Sequence, residues 1–334
     1  MERIRRKTAY LSLLLGAVMF LTACNSAPPM PVDDDTPVKT TPVSISEEAP
    51  SPTASSVDPD KPLRDPTPVC LSCEAPGTLT DGNEYVEIDY SNNSDGYIMV
   101  NYLGECVKVK LQITGPNQVT YTYNLSNGYV AFPLSSGSGE YTINVAENII
   151  DSKYSLVFAG TYSFDQISEF GPYLHPNQYV SFDSTKKTVA KGAELATGCY
   201  DEIGVITNIY DYIVGNIKYD YDKAETVPSG YLSDVDSTLA TGTGICLDYA
   251  AVMCTMLRTQ QIPTKLEVGY VGQDMVYHAW ISIYVEDVGW LNGIIQFNGK
   301  EWSLVDPTFG SNMSDKSLKS FIGDGTNYSV KYAY

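Results

Sequence analysis

Three residues in the last third of the chain have the types and settings that thiol chemistry needs: Cys246, His278 and Asp306. Cys246 follows the turn Gly242-Thr243-Gly244-Ile245. It opens an apolar series (Leu247, Ala250, Ala251, Cys254, Leu257) whose spacing predicts a helix starting at the cysteine. A helix N-terminus presents unpaired N–H groups and a partial positive charge. Both stabilise a thiolate, and a free N–H can also serve a developing oxyanion. Cys254 falls mid-helix on the apolar stripe and reads as a small hydrophobe. A thiolate enzyme also needs a base that returns a proton to the leaving group. The chain has two histidines. His175 precedes Pro176 in a connecting segment. His278 lies in a strand-like run, Tyr277–Val285, on the parity of Trp280, Ser282 and Tyr284 and opposite apolar Ala279, Ile281 and Ile283. A hydrogen-bonded structural histidine is the competing reading, and the scarcity of histidine favours a functional one. Asp306 closes the strand-like Glu301–Val305 ahead of Pro307, where a carboxylate can fix an imidazole tautomer. A turn residue before proline is its alternative use. Asp248, near the helix start, reads as a complement to the helix dipole.

These pieces recur in an ordered series. Thr241-Gly-Thr-Gly-Ile-Cys246-Leu-Asp-Tyr-Ala250 is followed by Ile262-Pro263, Gly269-Tyr270-Val271-Gly272, His278-Ala-Trp280, Trp302 and Asp306-Pro-Thr-Phe309. Asn216-Ile-Lys-Tyr219-Asp220 stands upstream. Together they resemble the bacterial transglutaminase-like branch of the papain-type thiol enzymes over roughly Asp201 to Phe309. The resemblance implies Cys246 as nucleophile, His278 as base and Asp306 as orienting residue, with no metal and no organic cofactor. It leaves a side-chain oxyanion donor unassigned. The implied reaction is attack of the thiolate on a carboxamide carbonyl to give a thioester, which passes to water or to an amine. Hydrolysis of peptide or isopeptide bonds is the favoured outcome. Protein cross-linking by amine transfer and a non-catalytic surface-binding role are the alternatives.

The elements that must position these residues form the second of two folded parts. Residues 169–334 are expected to be an α+β domain, helices first and antiparallel strands after. Ile203, Ile206, Ile209, Ile213 and Ile217 mark a core-facing helix over 202–218, and Asn298-Gly299 marks a hairpin turn. Residues 79–168 are expected to be all-β and sandwich-like. Val107, Val109, Leu111 and Ile113 alternate with Lys108, Lys110 and Gln112, and glycine- and asparagine-rich turns separate six or seven short strands. Residues 24–78 read as a disordered tether. Eleven of the 19 prolines fall between Pro28 and Pro68, with no aromatic residue from 25 to 69.

Residues 1–23 read as an address. Arg3, Arg5, Arg6 and Lys7 precede an apolar run, Tyr10–Phe20, that is short for a membrane span, and Leu21-Thr22-Ala23-Cys24 is similar to a bacterial lipobox. That predicts lipidation at Cys24 and a chain held at the extracellular face of the bacterial membrane; an ordinary signal peptide cut near Ala23 is the other reading. The 334 residues carry 21 basic and 40 acidic side chains, a net charge of −19, which argues against a nucleic-acid partner and against electrostatic docking on anionic lipids or wall polymers; the peptide or protein substrate, such as a cell-wall or surface protein, is what the family resemblance implies. With Cys24 and Cys246 set aside, five of the seven cysteines remain. An odd number implies no complete disulfide framework, and Cys70 and Cys73 are either a local disulfide or two thiols.

Overall fold

The computed structural model describes residues 62–165, 167–271, 275–286, 288–292, 295–297, 302–304 and 328–334. Cys24 and its leader, and Asp306, lie outside the described residues.

The first part is built from strands. In chain order they are β1 (Thr80–Gly82), β2 (Val86–Asp89), β3 (Tyr97–Tyr102), β4 (Val109–Thr114), β5 (Thr120–Leu125), β6 (Gly128–Pro133), β7 (Gly139–Ile150) and β8 (Lys153–Phe164). They form two four-stranded antiparallel sheets, β1-β2-β3-β6 and β5-β4-β7-β8. Period-two alternation buries Val109, Leu111 and Ile113 on β4 and Tyr141, Ile143 and Val145 on β7, with Leu111 opposite Val145 and Ile113 opposite Ile143. Val107 departs from the expected pattern. Ladder pairing on β4 begins at Val109, so nothing turns Val107 inward, and its side chain is 94% exposed.

The second part begins with helices: α1 (Lys187–Ala196), α2 (Glu202–Asn216), the short strand β9 (Lys218–Tyr219), α3 (Tyr221–Thr226), α4 (Val235–Thr241), the short strand β10 (Thr243–Gly244) and α5 (Cys246–Thr259). Strands follow: β11 (Thr264–Val271), β12 (Val276–Val285), β13 (Gly289–Asn292), β14 (Ile295–Phe297), β15 (Trp302–Leu304) and β16 (Tyr328–Ala333). The expected order of helices before antiparallel strands is observed. The expected hairpin appears as β14 against β15, with Phe297 opposite Trp302. One strand escaped the sequence pattern: β16 returns from the far end of the chain to close the sheet in the order β13-β12-β11-β16.

The helix α5 is the axis of this part. It packs on α1, α2 and α4 and against β11 and β12. Every residue from Asp248 to Thr259 is buried, a wider contact than the single stripe read from spacing, as befits a helix surrounded by protein. Its C-terminal turn is held by Arg258, a fully buried guanidinium that donates to backbone oxygens of Thr264 (3.0 Å), His175 (2.7 Å) and Tyr334 (2.6 Å). One contiguous core joins the buried residues of both parts.

The tether expected over 24–78 needs correction at its C-terminal end. Residues 62–78 run along the folded body. Arg64 N–H donates to the Cys199 carbonyl and Val69 N–H to that of Thr259, each at 2.8 Å, while Gln260 donates to the Pro66 carbonyl. The physical reason is that extended, proline-rich backbone makes no internal hydrogen bonds. Its free groups therefore pair with groups that helix ends leave open, and the Thr259 carbonyl closing α5 is one of these.

Candidate active site

Cys246 is the first residue of α5, half-buried, and follows Ile245, which takes the extended backbone of an N-cap (φ −95°, ψ 174°). Isoleucine has no side-chain acceptor with which to cap the helix. The acceptor comes instead from within the first turn: Asp248 folds back and takes the Ile245 N–H at 2.9 Å. This leaves no room over Gly244. A Cβ there would lie 2.7 Å from the Asp248 Cβ, so the glycine of the Gly-Ile-Cys sequence is required by close approach. The turn is also tied to β9, since Lys218 N–H donates to the Gly242 carbonyl and Asp220 N–H to that of Gly244.

Asp248 is fully buried, and the sequence reading of it as a dipole complement understates its surroundings. Its Oδ2 also receives Lys223 Nζ at 2.6 Å, and its Oδ1 receives the Tyr231 hydroxyl at 2.7 Å. Lys223 donates to that same hydroxyl at 2.7 Å and lies over the Tyr231 ring. Burial works against the Lys223 charge. The hydrogen bonds to Asp248 and Tyr231 outweigh it and raise the lysine above its ordinary range. Neither Lys223 nor Tyr231 was singled out from sequence. The signal available was an acidic residue three positions after a non-capping residue at a helix start.

His278 is buried, on β12, opposite Gly269 of β11. Gly269 is itself demanded by geometry, because a Cβ there would meet the Ser329 carbonyl oxygen of β16 at 2.0 Å. The imidazole stacks on the Trp280 ring, centroids 6.4 Å apart and planes inclined by 19°. Trp280 Nε1 donates to Glu267 Oε2 at 2.8 Å, and Ser282 Oγ donates to the same oxygen at 2.6 Å. Burial pushes the Glu267 carboxyl up, opposed by the Ser282 donor, the nearby Lys265 charge and the Trp280 donor. A lone acid within the apolar alternation of Thr264–Val271 was the sequence signal for this second buried carboxylate.

Cys246 and His278 thus stand on two elements that pack together, α5 and β12. The other candidates separate from them. His175 donates through Nδ1 to the Gly171 carbonyl (3.0 Å) and packs on Tyr97, a structural setting. Cys254 is completely buried, and burial raises its thiol to about 12. Cys70 and Cys73 are both free thiols, with no disulfide between them.

Residues 190–293 match the family model of the transglutaminase-like superfamily. This segment is a transglutaminase-like domain, a class consistent with a cysteine hydrolase or acyltransferase. A 97-residue stretch is 32% identical to the UPF0252 protein MJ1282 of Methanocaldococcus jannaschii, covering 26% of this chain and only 28% of that relative's length. Among solved structures, a protein from Cytophaga hutchinsonii described as a candidate cysteine protease is similar over 77% of this chain and 79% of its own, at 14% identity and a TM-score of 0.33. The red sea bream transglutaminase is similar over 64% of this chain and 48% of its own, at 14% identity and a TM-score of 0.29.

Proposed function

We propose that this protein is a thiol enzyme of the extracellular membrane face, lipidated at Cys24, that cleaves carboxamide bonds of peptide or protein substrates through a Cys246 thioester. The observation that carries this reading is a half-buried cysteine opening the central helix of a transglutaminase-like domain. His278 takes the thiol proton and returns it to the departing amine, with Asp306 orienting the ring. Water then releases the acid product; an amine in its place would give cross-linking. A backbone N–H at the start of α5, ahead of those of Asp248 and Tyr249 that already donate to the Ile245 carbonyl, serves the developing oxyanion.

The test is incubation of the full chain with a peptide library plus a primary amine, read by mass spectrometry. Products bearing a new acid, absent with Cys246→Ala and with His278→Ala, are expected. Amine adducts in place of acids would replace hydrolysis with transfer. Products undiminished in Cys246→Ala would remove the thiol from the mechanism.

A further inference from the structure

Asp248 poses an electrostatic problem for any reading that makes Cys246 a thiolate. A buried carboxylate two residues on in the same helical turn opposes a second negative charge, and low local polarity strengthens the opposition. The turn nevertheless needs that carboxylate, because nothing else among the described residues accepts the Ile245 N–H. Lys223 meets the same oxygen that takes the Ile245 N–H, and Tyr231 closes the other oxygen.

We propose that Asp248 and Lys223 act as a charge-neutral positioning pair beneath the Cys246 turn, the carboxylate fixing the backbone of the turn and the ammonium cancelling its charge. Cys246 then feels the helix terminus with no net opposing charge from Asp248. The inference deepens the thiol-enzyme reading by naming what sets its nucleophile. It does not depend on which bond is cleaved.

Other ionisable groups around α5 are held in separate arrangements: Lys191 pairs with Glu194 on α1, Lys265 of β11 lies over the Trp290 ring, and Arg258 of α5 itself bonds backbone oxygens. Asp220 accepts from the Lys223 backbone N–H and so caps α3. On α4, Asp234 caps its own helix and Asp236 accepts from the Lys187 and Thr188 N–H groups of α1. On β11, Glu267 is engaged by Trp280 and Ser282, and β12 brings His278. Among the described residues Lys223 is the cation bonded to Asp248.

The pair predicts opposite effects for its two halves, which a purely structural role does not. The measurement is the rate of Cys246 alkylation by iodoacetamide against pH, followed by peptide mass spectrometry on the full chain. Lys223→Met leaves Asp248 charged beside the thiol and should move half-maximal labelling to higher pH, slowing labelling at neutral pH roughly threefold or more. Asp248→Asn leaves Lys223 uncompensated and should move it to lower pH; the double variant should fall between them. Lys223→Met alone is decisive if Asp248→Asn does not fold, because Tyr231 and Ile245 still satisfy the carboxylate. A profile that Lys223→Met leaves unmoved, or moves to lower pH, overturns the proposal. So do single variants that shift it in the same direction. Opposite shifts in a protein that turns over no peptide would keep the pair and remove only the enzyme reading.

Discussion

At the scale of single residues, one contact decides how the cysteine is presented. The folded-back Asp248 and the bare Cα of Gly244 occupy adjoining space, and adding one methyl group forces them apart. Gly244→Ala should destabilise the protein by about 1–3 kcal/mol, in keeping with overpacking of a tight site, measured as a lowered urea midpoint. It should also slow Cys246 alkylation, while Cys254 stays unlabelled in the native protein because it is fully buried, which also raises its thiol above the ordinary range. Equal labelling of the two cysteines in the wild-type protein would contradict this. The residues Cys246 and Gly244 were legible because a glycine turn ahead of a periodic apolar run is a local pattern. Lys223 and Tyr231 were not, since they lie 25 and 17 positions from the carboxylate they serve and nothing local distinguishes them from surface residues.

At the scale of elements, β11 and β12 share a buried carboxylate whose titration is coupled to folding. Glu267 has a higher pKa in the folded protein than its ordinary 4.5, with burial as the main cause. The native state therefore binds this proton more tightly than the unfolded chain does. Its contribution to stability is fully present below the unfolded value and is lost as pH rises through the folded one. Glu267→Gln removes that loss. The stability of the variant relative to wild type should rise as pH climbs from the ordinary carboxyl value through the raised folded one, read from urea midpoints at each pH. A difference that stays flat would mean that the carboxyl titrates normally. Strand existence followed from alternation, as Thr264–Val271 and Val276–Val285 illustrate, although both strands are buried on both faces over most of their length. The strand β16 did not announce itself, because the partner that makes Tyr328–Ala333 a strand lies some sixty residues earlier in the chain. Likewise α1 and α4 are short, and their stability comes from packing on α5 more than from any sequence period.

At the scale of the whole molecule, the sheet-rich part and the transglutaminase-like part share one core, and residues 62–78 bind along both. Arg64 and Val69 meet the second part through Cys199 and Thr259, and Glu74 N–H reaches the Tyr97 hydroxyl of the first. Composition alone predicted that this segment would stay loose, because proline and polar residues cannot build a core. Docking needs only backbone groups that find partners, and composition carries no record of those. Replacing Arg64 with alanine removes its guanidinium bonds to the Gln260 side chain and carbonyl. The loss should be about 1 kcal/mol, given the partial exposure of the site, with faster proteolysis between residues 62 and 78 as the sensitive readout. An unchanged cleavage rate would show that this anchor contributes nothing.

The docked segment also has a mechanical consequence. A chain tethered by Cys24 would transmit any tug on the anchor through residue 62, and among the described residues the grips nearest that end are Arg64 and Val69. The tension would enter at the C-terminal end of α5, whose opposite end carries Cys246, before reaching the strands of the first part. Pulling from this end should therefore load the central helix directly, whereas pulling from a strand of the first part would not.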